Sequence, residues 1–102
     1  MTNQEITLEI AKMDEPNHAW EITPDRIVGY RYPAHTGWIY SKTYIFSLDA
    51  IVPVIKKQGQ KVKIEVLAGI KSVEEDMEAW FDAIQPKSLC ISLLKASGRY
   101  LS

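Results

Sequence analysis

The chain has 102 residues, a formal net charge of −1 and a content of 46% hydrophobic and 25% charged residues, which is typical of one globular domain. The balanced charge argues against binding to duplex nucleic acid, since such proteins carry a basic excess that replaces the counterions around phosphates. Residues 1–15 lack the basic and apolar segments of a signal peptide, and no apolar run approaches the roughly 20 residues of a membrane span. We therefore expect a single domain over residues 1–102, located in the cytoplasm and not associated with a membrane.

The N-terminal segment predicts a short helix. Thr2 and Glu5 have the spacing of a capping box, and three apolar residues then follow at helical intervals: Ile6, Ile10 and Met13. Apolar and polar residues also alternate over part of this segment, so a strand is the alternative. We favour a helix over residues 3–13 that is ended by Pro16.

The next part of the chain predicts a loop followed by a β-hairpin. Residues 14–26 contain two prolines and several polar residues, so we interpret them as a loop anchored by Trp20. Residues 27–32 and 38–45 are rich in β-branched and aromatic side chains, and a predicted turn over residues 34–37 separates them. The simplest interpretation is a hairpin that pairs the two stretches.

A helix and then a strand are predicted after the hairpin. Ser47 suits the N-cap of the helix and Gly59 suits its C-terminal end, whereas Pro53 predicts either a kink or a regular helix that begins later. Residues 61–67 alternate apolar and charged side chains, which predicts a strand with one buried and one wet face. Residues 68–72 would form a turn.

The C-terminal part combines an ambiguous segment with a clear helix. Residues 73–84 have apolar residues at helical spacing and others that alternate, so helix and strand have nearly equal weight. Pro86 suits the first turn of a final helix, and Gly98 suits the residue that ends it.

Two stretches resemble a known family. The segments YIFSLDAIVPVIKK at 44–57 and PKSLCISLLKASG at 86–98, together with the N-terminal helix and the tyrosine-rich strand, resemble the phage ABA sandwich family of small phage and prophage proteins. The resemblance implies helices packed on a small antiparallel sheet in an α-β-α sandwich, and it favours a strand near Trp80 and Phe81. Combined with the predicted elements, it gives an α+β fold with three to four strands.

The resemblance also implies a cellular context. Members of the family act as products of phage accessory genes inside a bacterial cell, and the family has no generally assigned activity. It therefore transfers no catalytic residue to this chain. Proteins of this size from phages often act on host proteins or on host immune signals, and a counter-defence role is consistent with this class association.

No motif predicts a catalytic residue, a cofactor or a metal. His18 and His35 are the two histidines, and they lack metal-ligand spacing. The acidic residues in 74–78 are typical of a solvated surface, and no serine lies in a G-x-S-x-G setting. Cys90 lies between Leu89 and Ile91, which is typical of a buried thiol without a chemical role.

The most informative cluster is aromatic and basic. Aromatic faces stack on bases and cations, arginine pairs with carboxylates and phosphates, and the same residue types anchor protein interfaces. On a hairpin, a set such as Tyr30, Tyr32, Trp38 and Tyr40 would remain accessible on one face. The candidate binding residues are Tyr30, Arg31, Tyr32, Trp38, Tyr40 and Lys42.

Several interpretations of this cluster stay open. Core packing of the sheet explains the aromatic residues without any function. Our leading hypothesis is a non-enzymatic protein that binds a host protein through the hairpin. The alternatives are an oligomer that sequesters a small nucleotide signal in a pocket near Arg31, and an enzyme whose site forms from distant segments.

Overall fold

The structure, a computed structural model, describes residues 1–31, 37–71 and 84–100. Helices dominate these residues, and a small sheet lies between the first helix and the others along the chain. The elements are α1 (Asn3–Asp14), β1 (Glu21–Ile22), β2 (Val28–Arg31), β3 (Trp38–Tyr40), α2 (Leu48–Lys56), α3 (Gln60–Lys71) and α4 (Pro86–Ala96).

The sheet is antiparallel with the strand order β1-β2-β3, which confirms the predicted α+β fold with a small antiparallel sheet. The predicted hairpin is present as β2 and β3, although β3 ends at Tyr40. The pairing continues one bond further, since the Ser41 amide donates to the Val28 carbonyl at 2.9 Å. Tyr44 then turns into the core and is fully buried.

Helix α1 begins as predicted. The Glu5 amide donates to the Thr2 hydroxyl at 3.1 Å, and the Thr2 amide donates back to the Glu5 carboxylate at 3.2 Å. This capping box satisfies two amides that the first turn of a helix leaves free. The buried face of α1, which includes Ile6 and Ile10, packs against β1, β2, α2 and α4.

Helix α2 runs through Pro53, so the alternative in which the regular helix begins after the proline is wrong. Ser47 is the N-cap, but its side chain makes no capping hydrogen bond. Ile51 and Val54 are buried on one side of the helix. Burial of this apolar face compensates for the backbone hydrogen bond that Pro53 removes.

The predicted strand over residues 61–67 and the turn over 68–72 are wrong, because the chain from Gln60 to Lys71 is the helix α3. Val62 and Val66 are four residues apart and lie on the side that faces the protein, while Ile64 is 56% exposed. The alternating pattern therefore contains an i, i+4 pair, and the lysines and alanine around it favour helix. Packing of α3 against α4 favours the helix further.

Helix α4 has the predicted ends. Pro86 occupies its first turn, where the missing N–H has no partner to lose. Gly98 has φ +74°, and the Arg99 amide donates to the Leu94 carbonyl at 2.8 Å. This is a Schellman motif, which requires a left-handed residue after the helix.

The core lies where α1, α2 and α4 meet beneath the sheet, with Val66 of α3 at one side. Its largest fully buried side chains are Tyr44, Ile6, Ile10, Ile51, Leu93, Leu94, Val54 and Cys90. The predicted turn over 34–37 lies mostly outside the described residues. The helix-or-strand segment 73–84, with Trp80 and Phe81, also lies outside them except for its last residue.

Candidate functional site

One face of the hairpin carries an exposed arginine, an exposed tyrosine and a half-buried tryptophan. Gly29 pairs with Tyr40 and Arg31 pairs with Trp38, and directly paired residues of antiparallel strands point to the same side. Glu21 of β1 pairs with Gly29 and completes this side. We call these five residues the outer sheet face.

Contacts within the outer sheet face fix its shape. The Arg31 guanidinium carbon lies 4.8 Å from the centroid of the Trp38 ring, which is the geometry of a cation–π interaction. A side chain on Gly29 would meet the Ile39 carbonyl oxygen at 2.9 Å and the Tyr40 ring at 3.2 Å. Glycine therefore lets the Tyr40 ring lie close against β2, and the ring remains 48% exposed.

The prediction that Tyr30 shares an accessible face with Trp38 and Tyr40 is wrong. Tyr30 pairs with Ile39, so it points to the opposite side of the sheet, together with the buried Val28. Its ring packs against the hydrophobic core. Tyr32, the other tyrosine of that predicted set, lies outside the described residues.

Tyr30 belongs instead to a three-ring cluster. The His18 ring stacks on it at 4.0 Å between centroids with planes 6° apart, and the Trp20 ring meets it edge-on at 4.8 Å. The Trp20 indole N–H donates to the Glu15 carbonyl at 2.8 Å. Trp20 is buried, which confirms it as the anchor of the loop, and His18 serves the packing of the sheet.

Lys42 lies apart from the outer sheet face and joins a buried carboxylate. Its Nζ is 3.8 Å from Asp14 Oδ2, and its side chain is 62% exposed. Asp14 also accepts a hydrogen bond from the Tyr44 hydroxyl at 2.6 Å and an ion-paired hydrogen bond from Lys57 Nζ. The same Lys57 ammonium donates to the Asp14 main-chain carbonyl at 2.9 Å.

The electrostatics of this network follow from its burial. Burial alone would raise the pKa of the Asp14 carboxyl, but the hydrogen bonds from Lys57 and Tyr44 and the nearby lysine charges outweigh burial and lower the pKa. Burial and the adjacent carboxylate together raise the pKa of Tyr44. The carboxylate stays ionised and the phenol stays protonated, so we interpret the network as a brace that ties α1 to both ends of α2.

Cys90 behaves as predicted. It is fully buried in the core, and burial raises the pKa of its thiol to about 12. A thiol in this state carries almost no thiolate near neutral pH, so it is a poor nucleophile.

A concave surface lies beside the hairpin. A groove of about 250 Å³ runs between the first turns of α1, the β1–β2 turn and the segment that follows β3. Lys42, one of the six predicted binding residues, lines this groove, and Arg26 is a second cation in its lining. Arg26 is not among the candidate binding residues predicted from the sequence, because its position depends on how residues 14–26 fold.

Neither a metal site, a membrane-spanning helix nor a similar protein is found for the described part of the chain. No group of three or more potential metal ligands occurs among the described residues, and no helix within the same residues has the length and apolar character to cross a membrane. Comparisons with protein-family models, curated proteins and solved structures find no match to the chain. The resemblance to the phage ABA sandwich family therefore stays a prediction.

Proposed function

We propose that this protein is a small, non-enzymatic accessory protein of the phage type that binds a protein of the bacterial host in the cytoplasm. The outer sheet face is the contact surface, and the arrangement of the exposed Arg31 and Tyr40 beside the half-buried Trp38 is the observation that carries the proposal. Binding would mask a functional surface of the host protein, consistent with a counter-defence role.

The residue types of this face suit a protein partner. Tryptophan, tyrosine and arginine are the residues that most often dominate the binding energy of protein interfaces. Their rings offer a large apolar area at a small entropic cost, because few bonds rotate. Here Gly29 allows the Tyr40 ring to lie close against β2, so less freedom is lost on binding.

Arg31 adds specificity for an acidic partner. The Trp38 ring holds its guanidinium in place from one side, and the planar group retains donors for a carboxylate. A partner with an aspartate or glutamate next to an apolar patch would satisfy both the cation and the rings. An exposed sheet surface suits such a macromolecule better than a sequestered nucleotide, which needs an enclosing pocket.

The test is capture of a partner from bacterial lysate, followed by binding measurements with the purified partner. Trp38→Ala and Tyr40→Ala should each weaken binding by roughly 30-fold, as interface anchors do. Ile64→Ala and Leu67→Ala are matched controls, because both side chains are exposed on α3, away from the sheet. Circular dichroism and thermal denaturation establish that every variant is folded.

Two results would contradict the proposal. One is the failure of the wild-type protein to retain any specific host protein. The other is a partner that binds folded Trp38→Ala and Tyr40→Ala variants as tightly as the wild type. A partner whose binding depends on Ile64 or Leu67 would move the contact surface to α3.

A further inference from the structure

The charged residues described in the lining of the groove beside the hairpin are positive. Two cations, Arg26 and Lys42, line it, and none of the described lining residues carries a carboxylate. Lys42 is 3.8 Å from Asp14, but Asp14 is more closely paired with Lys57. The Lys42 ammonium has three donors, so it retains the capacity to bind an anion in the groove.

The rest of the groove is mostly apolar. Phe46 is 76% exposed and Ile27 is 48% exposed, and both line the groove together with the buried Ile45. A phenylalanine ring with this exposure loses hydrophobic stabilisation that burial against another surface would recover. The groove therefore offers a place for a ring next to a place for a negative charge.

The backbone at Arg26 gives an independent indication. Arg26 has φ +63°, a left-handed conformation in which glycine or asparagine is less strained. It is the last residue of the three-residue connection 24–26, which the Thr23 amide closes by donating to the Ile27 carbonyl at 2.9 Å. Such hairpins favour glycine at this position, so an arginine here lowers stability.

Within the described part of the chain, no polar contact of the Arg26 side chain compensates for this strain. Among the described residues, its guanidinium makes no ion pair and no hydrogen bond. A strained backbone conformation at a residue whose side chain makes no stabilising contact is typical of a functional position. Its location at a groove that also holds Lys42 indicates what that function is.

We propose that the groove binds a small organic phosphate, with the phosphate between Arg26 and Lys42 and a ring of the ligand against Phe46 and Ile27. A phosphate dianion matches two cations, and arginine pairs with it through two parallel hydrogen bonds. The volume of about 250 Å³ lies just below the range of roughly 300–1,000 Å³ that is typical of ligand pockets, which suits a small ligand. This site is separate from the outer sheet face and is independent of the function proposed above.

Calorimetric or NMR titration with four probes tests the ligand chemistry. Phenyl phosphate and adenosine 5′-monophosphate should bind saturably, whereas inorganic phosphate and phenol should each bind at least about 10-fold more weakly because each lacks half of the contacts. Tighter binding of the nucleotide would identify nucleoside phosphates as the source, and tighter binding of phenyl phosphate would identify other aryl phosphates. No saturable binding of either ester at roughly millimolar concentration overturns the proposal.

Variants of Arg26 separate binding from folding. Arg26→Gly should raise the melting temperature, since it relieves the left-handed strain, and at the same time weaken binding of phenyl phosphate by about 10-fold or more. Arg26→Lys keeps the charge and should bind with intermediate affinity. Lys61→Ala removes an exposed cation on α3 and should leave binding unchanged. An Arg26→Gly protein that binds like the wild type contradicts the proposal, and one with a lower melting temperature contradicts the argument from strain.

Discussion

The hydrogen bond from Tyr44 to Asp14 should make a measurable contribution to stability. The Tyr44 side chain is fully buried and its hydroxyl lies 2.6 Å from an ionised carboxylate whose side chain is 3% exposed. A hydrogen bond to a charged group contributes about 1.5–3 kcal/mol. Tyr44→Phe keeps the ring and removes the hydroxyl, so the free energy of unfolding should fall by about 2 kcal/mol, or the melting temperature by roughly 10 °C.

The effect should also depend on pH in a defined direction. The folded pKa of Asp14 lies below its ordinary value of 3.8, so its pairing stabilises the protein above about pH 4 and is lost as the pH falls through the folded pKa. Tyr44→Phe removes one of the groups that lower this pKa. Acid unfolding of the variant should therefore begin at a higher pH than in the wild type.

Urea unfolding over a range of pH measures both effects. Tyr40→Phe is the matched control, because it removes the hydroxyl of a tyrosine that is 48% exposed, and it should change stability by less than about 0.5 kcal/mol. If Tyr44→Phe costs no more than Tyr40→Phe, the network does not brace the fold. If acid unfolding of Tyr44→Phe begins at the same pH as in the wild type, Tyr44 has no influence on the ionisation of Asp14.

Two further predictions concern helices α3 and α4. Val66→Ala should lower the free energy of unfolding in urea by about 2 kcal/mol, because the Val66 side chain is buried in α3. Ile64→Ala should lower it by less than about 0.5 kcal/mol, because Ile64 is exposed. Equal losses would indicate a strand, in which both side chains share one face. Cys90 should react with a thiol reagent in urea but not in the folded protein at neutral pH. The pKa of Cys90 in the folded protein is raised from 9.0 to about 12, so the contribution of the thiol to stability should be lost as the pH rises above 9. If Cys90→Ala unfolds in alkali at the same pH as the wild type, the thiol has no such effect on stability.

Local signals were sufficient where a helix end or a turn depends on neighbouring residues. The capping box of Thr2 and Glu5 located the start of α1, and Pro86 and Gly98 located both ends of α4. Each of these signals acts within about four residues, through one hydrogen bond or one backbone angle. The resulting predictions needed no knowledge of the tertiary structure.

The prediction failed where two periodicities coincide. In residues 61–67, the same valines satisfy alternation and helical spacing, and packing against α4 decides between them. The identity of the exposed face of the hairpin also depends on the register, which pairs Arg31 with Trp38 and sends Tyr30 to the core. A shift of one residue would have exchanged the two faces.

The buried network was not predictable because its members are far apart in the sequence. Tyr44 and Lys57 lie 30 and 43 residues from Asp14. One signal was present: an aspartate at the C-terminal end of a helix meets the negative end of the helix dipole. Such a residue is unfavourable unless cations lie nearby, and this indicates a partner without identifying it.

The brace at Asp14 has a consequence for how the protein opens. One carboxylate holds Tyr44 before α2 and Lys57 after it, so neither end of this helix can detach without breaking a contact to the same side chain. Amide hydrogens of α2 should then exchange with solvent together with those of α1, as one cooperative unit, instead of fraying from the termini. The proline within α2 is tolerated in part because both ends of that helix are tethered to a single point.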